Sequence, residues 1–263
     1  VDGVEIVAVS GARLVILGEI SAEFCAHIRA RLAEFCYGAT TVSEDSSFYS
    51  FEKTVAEFLR RYDLKPRKTR LGMAGELVVH VLMPLLQSDL TSAAVYFNKE
   101  ERSIKKGFDL TFVNSTDLAI WYGEVKTGEV AEPDSADKKA AALVNTAATS
   151  VDTMLADRDQ LSRWDAALVD TRLTLEAGMA DTARVLLRSD SEAVRQGGTL
   201  QKRVVLAGTV VHELGHCVVT SVGVEAIVAA IASSDRFTEA KILVIQQDSL
   251  EAVIAYLREV ADA

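Results

Sequence analysis

The stretch GFDLTFVNSTDLAIWYGEVKTGE, residues Gly107 to Glu129, decides how the chain is read. β-Branched and aromatic residues flank a short polar segment, Asn114 to Asp117. That pattern predicts a strand over Gly107–Val113, a tight turn, and a second strand over Leu118–Lys126, paired as an antiparallel hairpin. Side chains alternate faces along a strand, so Glu124 and Lys126 share one face. Val125 points to the core and leaves its carbonyl near the same edge. Asp109 lies on the partner strand. Two carboxylates and a backbone carbonyl on neighbouring strands form an oxygen donor set for a hard divalent cation, Mg²⁺ or Mn²⁺. A lysine beside such a cation can orient a water for phosphodiester hydrolysis. A Glu and a Lys at the end of the apolar run LAIWYG are also poorly placed for an ordinary surface ion pair.

Upstream, residues 4–20 read as two strands broken at Ser10-Gly11, followed by a helix capped by Ser21 and running to about Phe35. Residues 38–50 read as a loop, Phe51–Tyr62 as a helix, and Asp63–Thr69, with Pro66 and several cations, as a linker. Leu71–Leu86 reads as an apolar helix carrying Glu76 and His80, and Ala93–Asn98 as a strand. Downstream, helices are expected over Ser135–Ala156 and on to about Gly197 with a polar break at Ser189–Gly198. Strands follow at Arg203–Val211 and Lys241–Gln246, and helices at Val224–Ser233 and from Asp248 to Val260. Strands interleaved with helices imply an α/β layer arrangement around a mixed sheet flanked by helices. Residues 1–64 are expected as an appended N-terminal α+β lobe and residues 65–263 as the domain that bears the chemistry.

The chain has 263 residues, 49% hydrophobic and 25% charged, which suits a globular protein able to bury a sizeable core. Cys25, Cys36 and Cys217 form neither a disulfide framework nor a CxxC pair, as fits a reducing compartment. Val1 to Ile16 lacks the basic and apolar regions of a leader, and no window of about 18 uncharged apolar residues occurs. A cytoplasmic protein without membrane contact is therefore expected. The net charge of −10 argues against a generic nucleic-acid coat protein. Two local basic strips remain, one of Lys65, Arg67, Lys68 and Arg70, the other of Lys99, Arg102, Lys105 and Lys106. Both precede the hairpin and are candidate phosphate contacts.

The segments GMAGELVVHVLMPLL, KKGFDLTF and LAIWYGEVKTGE together resemble the HamA nuclease family of Hachiman-type anti-phage defence, within the PD-(D/E)xK superfamily. The order of elements matches: a Glu on a helix, then G-x-D, then a hydrophobic strand ending in G-E-x-K. The resemblance is clearest over about Leu71 to Glu129. Phe108 stands where the motif is usually written with Pro. The resemblance implies a restriction-endonuclease-like fold and Mg²⁺-dependent DNA hydrolysis in complex with a HamB-like helicase. It further implies Asp109 and Glu124 as metal ligands, Lys126 as the residue that positions water, and Glu76 as a supporting carboxylate. A helicase that delivers DNA is compatible with the acidic charge.

A competing motif, His212-Glu213-Leu214-Gly215-His216, matches the HExxH zinc signature. No further His follows, the flanks VVLAGTVV and VVTSV favour strand, and on a strand the two histidines lie about 13 Å apart. A strand or strand end with surface histidines is the preferred reading there. A zinc metalloprotease is the first alternative. A non-catalytic adaptor that binds a partner through a nuclease fold is the second. His80 and Trp164 are expected as packing residues, and Trp121 and Tyr122 as core and rim.

Overall fold

In the computed structural model of the protein, residues 2–97, 107–131, 135–212, 215, 217–248 and 251–262 are described. The chain runs β1 (Val4–Val9), β2 (Ala12–Leu17), α1 (Ala22–Tyr37), α2 (Ala39–Glu44), α3 (Phe51–Asp63) and α4 (Arg67–Leu86). Then come β3 (Leu90–Ser92), β4 (Leu110–Asn114), β5 (Ile120–Glu129), α5 (Ala136–Ala156), α6 (Leu161–Thr174) and α7 (Ala177–Gln196). It closes with β6 (Arg203–Val211), α8 (Ser221–Ser233), β7 (Glu239–Gln247) and α9 (Glu251–Asp262).

The seven strands form one mixed sheet in the order β1-β2-β7-β6-β5-β4-β3. Strands β2, β7, β6 and β5 are mutually parallel, while β1 and β4 run against their neighbours. The parallel strands read as near-continuous apolar runs because both faces are covered. One face, with Val125, Ala207 and Ile245, packs against α1, α3, α4 and α9. The other, with Tyr122, Leu206 and Val244, packs against α5 to α8. The connections β5 to β6 and β6 to β7 carry these helices, as parallel pairing requires.

The hairpin forms as expected, with Leu110 opposite Gly123 and Phe112 opposite Trp121. Its turn is built by Asn114, whose side-chain oxygen accepts from the N–H of Thr116 at 2.8 Å, and by Asp117, which accepts from Ala119. Ser21 caps α1 by accepting from Phe24 N–H at 3.0 Å, and Ser135 caps α5. The expected α/β mixed sheet flanked by helices is the fold observed.

Several element boundaries differ. Of the stretch read as a linker over Asp63–Thr69, only residues 64–66 lie between helices: Asp63 ends α3, and α4 starts at Arg67 because Pro66 suits the position just before a helix. A short helix, α2, occupies part of the expected 38–50 loop. The third strand of the β4 edge is Leu90–Ser92, and residues 93–97 form no strand: Ala93 N–H still donates to the Thr111 carbonyl, but Tyr96 and Phe97 donate to the carbonyls of Phe35 and Cys36 at the end of α1. No break interrupts α7 at Ser189; it ends at Gly197, whose φ of +72° suits only glycine well. The boundary expected at 64/65 falls in the short turn between α3 and α4. Residues before it share a sheet and a core with the rest: β2 pairs with β7, and Phe24 and Phe58 pack in the same cluster as Leu257.

Helix α4 is long and apolar enough by composition to cross a bilayer. Here its apolar residues, Leu77 to Met83 among them, are buried against the sheet. Cys36 is buried, and Cys25 and Cys217 are half-buried; all three are free.

Candidate active site

The hairpin register sets the site. The last cross-strand pair at this end is Leu110 with Gly123, so Asp109 and Glu124 come next on their strands and share a face. A side chain at Gly123 would put its Cβ 2.7 Å from that of Leu110, and its absence keeps the strands close just before they part. Beyond that pair the backbone ladder is replaced by a side chain: Val125 N–H donates to Asp109 Oδ2 at 3.1 Å. In an extended strand the N–H and C=O of one residue point to the same edge, so the Val125 carbonyl is turned to the Asp109 side as well.

Lys126 follows on the same face and donates to Glu124 Oε1 in a short charged contact. Glu124 is only 6% exposed. Burial, and then the neighbouring charge of Asp109, push its carboxyl up to about 8, against the opposing pull of Lys126. Two carboxylates thus crowd one corner, and the Lys126 ammonium sits on that of Glu124.

The floor of this corner is aromatic. Phe108, next to Asp109, packs on Tyr122 at 4.7 Å and on Trp164 at 5.5 Å between ring centroids. The phenol of Tyr122 is fully buried and donates to Asp190 Oδ2 at 2.6 Å. Burial raises the carboxyl of Asp190, opposed by that hydrogen bond. Trp121 and Tyr122 are both core, so the rim position expected for one of that pair is not observed, and Trp164 packs in the core as expected.

The structure brings Asp109, Glu124, Val125 and Lys126 together. Glu76 is carried on α4, across the opposite face of the sheet. The reason is strand alternation: α4 touches β5 at Thr127, whose side chain points away from those of Glu124 and Lys126. A Cβ at Gly75 would stand 2.0 Å from Thr127 Oγ1.

Of the first basic strip, Arg67 makes a two-pronged pair with Glu129 at the end of β5, one contact at 2.7 Å. Arg70 lies over the Tyr62 ring at 5.6 Å. Lys65 and Lys68 are exposed at the start of α4. The second strip, with Lys99, Arg102, Lys105 and Lys106, lies outside the described residues.

In the HExxH segment, Glu213, Leu214 and His216 lie outside the described residues. The described positions His212, Gly215 and Cys217 are not helical. His212 sits at the end of β6, as a strand end was expected, but it is buried, not on the surface. Its Nε2 pairs with Gln246 Oε1 at 3.0 Å, and the same oxygen accepts from Val219 N–H at 2.8 Å. An Oε1 that already accepts implies that the imidazole donates from Nε2. Among the described residues no cluster of three or more His, Cys, Asp or Glu is placed to hold a metal. His80 packs edge-on against Tyr96.

A residue that sequence reasoning passed over is Arg163 on α6, whose guanidinium lies 5.9 Å from the centroid of the Phe108 ring. The side chain is 10% exposed. Only its proximity to Trp164 drew attention to that segment in the sequence.

A search of curated proteins gave no match. The HamA family profile matches residues 10–261, from the turn between β1 and β2 to the last turn of α9. The chain therefore belongs to the HamA family and is a component of Hachiman-type antiviral defence.

Proposed function

We propose that the protein is a metal-dependent DNA nuclease subunit that hydrolyses phosphodiester bonds at Asp109, Glu124 and Lys126, working with a HamB-like helicase. The observation that carries this reading is the buried Glu124 carboxyl, crowded by Asp109 and pushed up to about 8. Such a site is costly without a cation and is relieved by one.

The donor set fits a hard divalent ion. Asp109 and Glu124 offer carboxylate oxygens, the Val125 carbonyl is turned to the same edge, and no thiol or imidazole is among them. Mg²⁺ or Mn²⁺ bound there would supply Lewis acidity toward the phosphate and the attacking water. The chain's own residues do the rest. Asp109, held by Val125 N–H, stays oriented toward the gap between β4 and β5. Lys126 keeps its ammonium on the Glu124 carboxylate, where it can orient a water and offset negative charge on the phosphate. Phe108, Tyr122 and Trp164 close the inner side against bulk water. Glu76, on the other face, is left out of the ligand set.

Lys65 and Lys68 are exposed beside Arg67, whose partner Glu129 lies three residues after Lys126 on β5. They are proposed as contacts for the DNA backbone. Lys105 and Lys106 are kept in the same role on sequence grounds alone. A net charge of −10 makes weak intrinsic DNA affinity the expectation, which is the reason for a helicase that delivers the strand.

The test is plasmid cleavage with and without Mg²⁺ and with and without the helicase, comparing wild type with Glu124→Ala/Lys126→Ala. Cleavage that requires Mg²⁺ and disappears in the double variant supports the nuclease. No cleavage under any condition, with a protein that still assembles with the helicase, supports the adaptor reading. Stoichiometric zinc lost on His212→Ala would support the metalloprotease instead.

A further inference from the structure

Arg163 stands in the first turn of α6, whose start packs over the beginning of β4: a Cβ at Gly107 would lie 3.6 Å from that of Ala166. Its guanidinium is held from two sides. Nη1 donates to the carbonyl of Met154, one of the orphan carbonyls at the end of α5, at 3.0 Å. The carboxylate of Asp157 is 3.9 Å from the same nitrogen. The Phe108 ring lies beneath. Nε, in contrast, is buried and has no hydrogen-bond partner among the described residues.

An orphan donor on a buried cation is costly, and a helix cap does not need it. A residue wanted only for the Met154 carbonyl could be a lysine, without a second donor edge to desolvate. Arg163 packs over Phe108, in the core on the face of the sheet from which Tyr122 and Glu124 project. The Glu124 carboxylate is one of the charges that act on Arg163, and burial opposes the cation's own charge. The Nε–Nη2 edge of a guanidinium is the one that matches two oxygens of a phosphate in a fork geometry. With Nη1 occupied by Met154, Nε is the donor left without a partner, and the guanidinium lies against the Phe108 ring.

We propose that Arg163 is a phosphate-binding residue of this site, taking non-bridging oxygens of a DNA phosphate on its Nε edge beside the carboxylates of Asp109 and Glu124. This rests on the nuclease reading above. It adds a third cationic element to the site, one contributed by α6 and not by the hairpin. Lys126 serves the reacting water, while Arg163 holds the strand in register with it.

The experiment uses the full chain and a short DNA duplex. Binding is measured by fluorescence anisotropy in Ca²⁺ over a range of salt for wild type, Arg163→Gln and Arg163→Lys, with thermal unfolding of each. Mg²⁺-dependent cleavage is measured for the same proteins and for Lys126→Ala. Arg163→Gln is expected to weaken binding about tenfold or more and to lower the salt slope by about 1. Arg163→Lys keeps the charge and so the slope, but loses the fork and part of the affinity. A purely structural arginine lowers the melting temperature in both variants and leaves the slope of the folded protein untouched; that result overturns the proposal. If Arg163→Gln does not fold, unchanged affinity in Arg163→Lys overturns it, and reduced affinity at unchanged melting temperature supports it. Lys126→Ala that cleaves like wild type would instead sink the nuclease reading, and the salt slopes still decide whether Arg163 meets DNA.

Discussion

At the scale of single residues, Glu124 is the most informative group. Its carboxyl is raised in the folded protein, so between the usual carboxylate range and about 8 the folded state binds more protons than the unfolded chain. Stability from this group is thus complete at acid pH and is lost as pH rises through about 8. In metal-free buffer at alkaline pH, Glu124→Gln is expected to raise stability, by roughly 1–3 kcal/mol, as read by urea unfolding at several pH values. Added Mg²⁺ is expected to stabilise the wild type, with an effect that grows as pH rises because protons compete for the same oxygens. The variant should show little of either trend. Equal Mg²⁺ stabilisation in wild type and variant would place the ion elsewhere. Glu76 lies on the other face of the sheet, so Glu76→Gln should retain more cleavage than Lys126→Ala. The shared face of Asp109, Glu124 and Lys126 was legible because strand alternation is local. The side on which α4 would present Glu76 was not, since no short-range signal in the sequence says which face of a sheet a distant helix covers.

At the scale of elements, the contact of α4 with β5 deserves a test because it sets the strand that carries the site. Gly75 leaves no room: its Cβ would lie 2.0 Å from Thr127 Oγ1 and 2.9 Å from Thr127 Cβ. Gly75→Ala therefore forces α4 and β5 apart. It is expected to cost about 1–3 kcal/mol and to reduce cleavage at a site it does not touch. In a double-mutant cycle with Thr127→Ala the two changes should couple, because the second removes the clashing oxygen. Simple additivity would show that α4 moves freely. The hairpin itself was readable from the polar turn and its flanking β-branched residues. The α4 start was misread as linker because cations at a helix N-terminus oppose its dipole, and tertiary pairing of Arg67 with Glu129 overrides that local cost.

At the scale of the whole molecule, the N-terminal hairpin is part of the sheet. Strand β2 lies parallel to β7, with Leu14 beside Val244 and Val15 beside Ile245. All four residues are buried. Residues 65–263 produced alone would expose this row along the edge of β7, together with the partners of Phe24 and Phe58. That fragment is expected to aggregate or to unfold without a cooperative transition, whereas the full chain unfolds in one. A monomeric fragment with a sharp transition and undiminished stability would show that the 64/65 boundary separates independent units.

What the sequence determined by itself was the local scaffold: a hairpin that puts an Asp opposite a Glu-x-Lys, a capped helix after Ser21, a helix from about Ser135, and apolar strands fit for a covered sheet. These follow from short-range periodicity and capping, which act within a few residues. Only the tertiary structure decided that the first hairpin docks on the last strand, that α4 covers the face opposite the carboxylates, and that Arg163 from α6 stands over Phe108 beside them. Those placements depend on which apolar surfaces meet across stretches of chain far longer than any one element, and pairing of that kind leaves no pattern in any one stretch of sequence.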